Sequence, residues 1–135
     1  MLKIRRETDL GLVFLEELAG LDKGEYLSLQ RWAARRHLPY RFLSKVVGNL
    51  KRSGLVLAKE GKAGGYRLAK NSSQVKLGQV IKILEGNLAL VRCSTGAKCS
   101  CRKICRHRSL MGRLGKMLET ELNKVSLKTL YAGYQ

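Results

Sequence analysis

"SLQRWAARRHLPYRFLSKVVGNLKRSGLVLAKEGKAGGYRLA" occupies residues 28–69. Two short helical patterns, interrupted at "HLP", give way to a pattern of strand period. Ser28 stands where an N-cap is needed for the first helix, "LQRWAARR". Pro39, the only proline, suits the first turn of the second, "PYRFLSKVVGNLKRS". That helix places Phe42, Leu43, Val46, Val47 and Leu50 on one inward face, and Gly54 is its expected stop. "LVLAKE" and "YRLA", joined by the tip "GKAGG", then read as a β-hairpin. Residues 31–70 hold eleven lysines and arginines against one acid, Glu60.

Helix, turn, helix and a basic, glycine-tipped hairpin predict a winged helix-turn-helix that binds duplex DNA. The helix from Pro39 enters the major groove, where its first turns read bases. The reading side chains are Tyr40, Arg41, Ser44 and Lys45, and Arg41 can donate two hydrogen bonds to guanine O6 and N7. Lys59, Lys62 and Arg67 of the hairpin face phosphates or the minor groove. Gly61, Gly64 and Gly65 let the tip turn sharply and approach the DNA backbone. Ser28, Arg31, Arg35, Arg36, Lys51 and Arg52 complete the DNA-binding set, the basic ones as phosphate clamps that position without specifying. The competing reading is a three-helix domain with a solvated basic face. Trp32 and Phe42 are read as core.

Outward from this unit, residues 8–20 read as a first helix with Thr8 as N-cap and Gly20 as its end. "VKLGQVIKILEG" predicts a helix over Leu77–Glu85, with Val80, Ile81 and Leu84 on one face. Residues 108–131 form the longest helical pattern. Met111, Leu118 and Val125 are spaced seven apart, with Leu114, Met117 and Leu122 beside them, a seam that suits a partner helix. The expected architecture is mainly α with a small β-wing, ending in a long dimerisation helix. The expected segments are a DNA-binding domain (1–86), a cysteine-rich loop (87–107), and a dimerisation helix with its tail (108–135).

A chain of 135 residues with net charge +17 expects a polyanionic partner. "MLKIRRETDL" has no uninterrupted apolar run after its charges, so no signal peptide is expected. No stretch approaches a membrane span. The expected location is a reducing cytoplasm, where disulfide frameworks are rare. An enzyme is not expected. There is no carboxylate pair in a cleft, no phosphate loop, and only two histidines, His37 and His107.

All four cysteines lie in "CSTGAKCSCRKIC", residues 93–105. This is no pair of CxxC knuckles, so a zinc ribbon is poorly supported, and no CxxC redox motif is present. Arg92, Lys98, Arg102, Lys103 and Arg106 favour deprotonated thiols, which are ready metal ligands. Cys93, Cys99 and Cys105, with five residues between neighbours, are compatible with three-thiolate iron–sulfur ligation. A fourth ligand must come from elsewhere.

The whole chain resembles the winged-helix iron–sulfur regulators of the Rrf-two type, which include a cluster-biogenesis repressor and a nitric-oxide-sensing repressor. The resemblance is carried by "TDLGL" (8–12), the helix-turn-helix at 28–53, "SGLVLAKEGKAGGYRLA" (53–69), "VKLGQVIKILEG" (75–86) and the three spaced cysteines. It implies a homodimer on a pseudo-palindromic operator, and a [2Fe-2S] or [4Fe-4S] cluster whose state tunes DNA binding. Cluster-biogenesis members carry a ligand histidine three positions after the last cysteine. Here that position is Arg108, and His107 stands one residue early. Nitric-oxide-sensing members, in which an aspartate of the partner subunit can complete the site, resemble this chain at Thr8–Asp9. Asp9, His107 and the extra thiol Cys101 are thus candidate fourth ligands. Glu60 stands where family members often have arginine. The alternative function is a metal-free or zinc-dependent repressor that senses through thiols or a metabolite.

Overall fold

The computed structural model describes residues 3–132; residues 1–2 and 133–135, the ends of the expected first and last segments, lie outside the described residues. The order is α1 (Arg6–Ala19), α2 (Leu29–Arg35), α3 (Tyr40–Arg52), β1 (Val56–Lys59), β2 (Gly65–Leu68), α4 (Leu77–Glu85), α5 (Arg106–Asn123) and α6 (Leu127–Ala132). The chain is mainly helical, with one two-stranded antiparallel sheet as the wing.

The core forms where the helical patterns of the first four helices meet. Phe14, Leu15, Trp32, Leu43, Val46, Val47, Leu50, Val56, Val75 and Val80 are all buried together. Phe14 sets its ring edge-on to Trp32 at 5.2 Å and to Tyr66 of the wing at 6.0 Å. Aromatic edges of this kind add to area burial and fix ring orientation. The hairpin is thereby anchored to α1 and α2 rather than projecting freely.

The wing pairs Val56 with Leu68 and Lys59 with Gly65. A third stretch joins it: the Leu27 N–H donates to Tyr66 O, and the Tyr66 N–H returns to Leu27 O at 2.9 Å. Gly65 makes this possible. Its φ is +146, and a Cβ there would overlap the Leu27 carbonyl. So this glycine serves close backbone approach within the fold.

Two expectations are corrected. Thr8 is not the N-cap of the first helix. The cap residue is Arg5, without a side-chain cap of its own, and Thr8 lies fully buried inside α1. The missing cap comes from the far end of α4. Glu85 Oε1 accepts the Arg5 backbone N–H at 2.8 Å and the Thr8 hydroxyl at 2.7 Å. Second, the helix expected over 108–131 is broken. Ser126 bridges Lys76, the Leu77 N–H donates to Val125 O, and the Leu127 N–H donates to Val75 O. These strand-like bonds interrupt the helix, and the Ser126 hydroxyl then accepts the Thr129 N–H at 3.1 Å to start α6. Val125 therefore leaves the apolar seam of α5. Leu127 enters the core, and the Tyr131 hydroxyl donates to Leu12 O at 2.7 Å. Burial, with the charge of Glu16, pushes the Tyr131 phenol up to about 12.

Candidate functional site

α3 has two faces of opposite character. Leu43, Val46, Val47 and Leu50 are buried, while Arg41, Lys45 and Lys51 are exposed and Tyr40 is 50% exposed. Ser44 is half-buried between the faces. The turn leading into α3 closes through His37, the one described non-glycine residue with positive φ, at +56. Pro39 sits just outside the helix as its N-cap, with its carbonyl accepting the Leu43 N–H at 3.1 Å. Ser28 caps α2 as expected, its Oγ accepting the Arg31 N–H at 3.4 Å.

The wing lies beside this surface. Ser28, Arg31, Arg35, Lys62 and Gly64 line one cavity of about 300 Å³ between α2 and the hairpin tip, so these predicted phosphate contacts converge. Tyr26, in the stretch before α2, organises the wing cations. Lys59 Nζ and the Arg67 guanidinium each lie 5.4 Å from its ring centroid. Arg67 is consequently half-buried, while Lys59 and Lys62 remain exposed. Arg36, expected as a phosphate clamp, is instead paired with Glu17 and laid over the Trp32 ring at 5.5 Å. It holds α2 to α1. Arg52 pairs with the Asn49 side chain at the end of α3. The tip residue Glu60 is exposed.

The four cysteines are free thiols in a loop of turns between α4 and α5. Cys93 and Cys105 are half-buried, Cys99 and Cys101 exposed. Cys93 lies in the single turn Arg92–Thr95, which packs on α5, and Cys105 is the N-cap residue of α5. Among the described residues, no three histidine, cysteine, aspartate or glutamate side chains converge on a metal-sized site. The loop as it stands does not present Cys93, Cys99 and Cys105 as a preformed ligand set. Asp9 is exposed in the first turn of α1, next to the Thr8–Glu85 contact, and His107 is exposed in the first turn of α5. Arg108, at the family's histidine position, is half-buried and lines a cavity with Cys105.

α5 rests on α4. Leu118 and Leu122 face Ile81, Leu88 and Leu90 across an apolar groove, and Lys82 reaches Glu119 at 3.7 Å. The outer edge of the helix is different. Leu110, Leu114 and Met117 are exposed by 50%, 39% and 63%. Of the seam read from the sequence, Leu114 and Met117 thus remain open, whereas Met111, Leu118 and Leu122 turn partly toward their own chain.

The family model for Rrf2, described as an iron-dependent transcriptional regulator, matches residues 4–133. The chain belongs to the Rrf2 family. Among solved structures it is similar to CymR (YrzC), the global cysteine regulator of B. subtilis. That match has 27% identity and a TM-score of 0.78, and covers 100% of both chains. It is similar to T. potens IscR at 25% identity, with a TM-score of 0.77, covering 99% of this chain and 89% of that one. The oxidized form of Staphylococcus aureus CymR matches at 26% identity with a TM-score of 0.71, covering 96% and 95%. The winged-helix architecture expected from the sequence is thus that of an Rrf2 transcriptional regulator. Among the described residues, no helix is long and apolar enough to cross a membrane.

Proposed function

We propose that the chain binds duplex DNA as a homodimer at a pseudo-palindromic operator, and that an iron–sulfur cluster in the cysteine loop controls this binding. The observation that carries the DNA reading is the two-faced α3, packed on one side and lined by Tyr40, Arg41 and Lys45 on the other. Ser44, Lys51, Lys59, Lys62, Gly64, Gly65 and Arg67 extend the contact, with Ser28 and Arg31 at the cavity beside the wing. The partner helix covers Leu110, Leu114 and Met117, whose exposure on one edge of α5 otherwise leaves apolar area in water.

The donor chemistry of the loop suits such a cluster: three spaced free thiols among cations that offset thiolate charge. Cys93, Cys99 and Cys105 hold it, and Asp9 of the partner subunit, His107 or Cys101 supplies the fourth ligand. Their convergence requires the loop to rearrange, as is common where ligation and local folding are coupled. When bound, the group supplies a centre that exchanges electrons and reacts with oxidants or nitric oxide. The protein's part is mechanical. The loop continues from α4, whose terminal Glu85 holds the N-cap residue Arg5 and Thr8 of α1, and α1 packs on α3. Tension in the loop therefore reaches the reading helix through three packed elements, and two half-sites tolerate little change in spacing.

A second reading is a metal-free thiol or metabolite sensor. It is favoured by the non-converging thiols and by the likeness to CymR, the global cysteine regulator of B. subtilis, and to the oxidized form of S. aureus CymR. The deciding comparison is anaerobically purified protein, loaded with iron and sulfide or stripped of both, titrated against a duplex selected from a random pool. We expect affinity to change by roughly tenfold or more between the two forms. Equal affinity would remove the cluster from the control mechanism, and absence of any preferred duplex would remove the operator. Sedimentation of the same samples should give a dimer that Leu114→Asp converts to folded monomers, because the interface cannot take an unpaired charge.

A further inference from the structure

Between Gly86 and Leu118 the chain carries eight lysines and arginines and no aspartate or glutamate. The fold brings two of these cations to one place. Arg102, in the turn before α5, and Arg108, in its first turn, line a single cavity of about 450 Å³. The Ser94 and Ser109 residues, the Cys105 thiol and Gly112 complete its lining. Arg108 is half-buried. Among the described residues neither guanidinium has a carboxylate partner; the four ion pairs use Arg5, Arg36, Lys82 and Lys124. Two like charges lining one cavity repel, and no carboxylate offsets them there.

We propose that this cavity binds a small, doubly charged oxyanion of the phosphate or sulfate type. Guanidinium forks match paired oxygens, and serine hydroxyls are suited to donate to the remaining ones. The ligand cancels the repulsion between Arg102 and Arg108 and ties the cysteine loop to the first turns of α5. The inference does not depend on the cluster: its donors are arginines and serines, and Arg108 stands where a metal-ligating histidine was expected from the family resemblance.

The test is titration calorimetry of the full-length protein as purified, with inorganic phosphate at constant ionic strength set by sodium chloride. A saturable site, one per chain, is expected. Arg108→Gln should weaken it by roughly tenfold or more, and Arg108→Lys should recover part of that loss. Arg102→Gln should weaken it too, and serves if circular dichroism finds Arg108→Gln unfolded. Arg113→Gln, exposed and outside the cavity lining, should leave it unchanged. Cys99→Ser, outside the cavity lining, should keep phosphate binding even where it loses iron and sulfide. Heat that never saturates, or equal weakening by Arg113→Gln, would mean diffuse attraction to a chain of net charge +17 and would overturn the site. A wild-type protein that takes up iron and sulfide but no phosphate overturns this inference alone. Duplex DNA that displaces the phosphate competitively would assign the cavity to nucleic-acid phosphate and overturn it as well.

Discussion

Between Phe14 and Leu84, buried apolar side chains from four helices and β1 form one continuous core. Between Gly86 and Cys105, no described residue is fully buried. The first region is over-determined: α1, α2, α3, α4 and the wing each cover another element, and even the positive cluster at Lys59 and Arg67 is held by Tyr26. The second has no such core around its thiols. A regulator needs both properties. DNA-reading side chains lose affinity if they must be ordered on binding, whereas a sensor loop that cannot move transmits nothing.

The contrast can be broken most easily at its strongest point. Trp32→Ala removes the largest fully buried side chain and should cost about 3–5 kcal/mol in denaturant unfolding. Ile104→Ala, in the loop and 84% exposed, should stay within about 0.5 kcal/mol. Comparable losses at the two positions would mean that the loop is packed against something in solution.

The next effect is on binding rather than stability. Arg41→Ala should relax base preference at one position per half-site by about 1–3 kcal/mol, read from competition among variant duplexes. Lys51→Ala should weaken all sequences alike and lower the salt slope by about 1. If Arg41→Ala weakens every duplex equally, the first turns of α3 do not read bases.

A smaller effect sits at the junction of the two regions. Partial burial works to raise the Glu85 carboxyl, but the Thr8 hydroxyl and the Arg5 backbone, side chain and charge together hold it below its ordinary value. A carboxylate so lowered stabilises the fold above its ordinary range, and that contribution is lost as pH falls through the depressed value. Glu85→Gln should therefore cost about 0.5–1.5 kcal/mol near neutral pH. Its unfolding curve should converge with the wild type in acid. A difference independent of pH would assign the loss to shape rather than charge.

The sequence made the packed region legible because its constraints are local. Ser28, Pro39 and Gly54 mark helix ends by backbone chemistry, and the bounds Leu77–Glu85 followed from apolar period alone. Where partners are distant in sequence, the local signal misled. Thr8 looked like a cap because nothing nearby reveals that Glu85 caps α1. The seven-residue spacing ending at Val125 concealed a break made by pairing with Val75–Leu77. In the candidate site, exposure of Tyr40, Arg41 and Lys45 was readable from the opposite apolar face. The diversion of Arg36 to Glu17 and the placement of Tyr26 under two wing cations depend on tertiary packing that no period encodes. For the thiols, spacing and charge speak to ligand chemistry but not to convergence.

The most direct measurement of the central claim is therefore made on the loop. Wild type and the four single Cys→Ser variants are reconstituted under anaerobic conditions, and iron and acid-labile sulfide are counted in each. Serine oxygen is harder and far less acidic than thiol sulfur and replaces a ligand badly. The account predicts loss of the cluster at Cys93, Cys99 and Cys105 and its retention in Cys101→Ser. Stoichiometric zinc without sulfide in freshly purified wild type, or retention of iron and sulfide in all four variants, would contradict it.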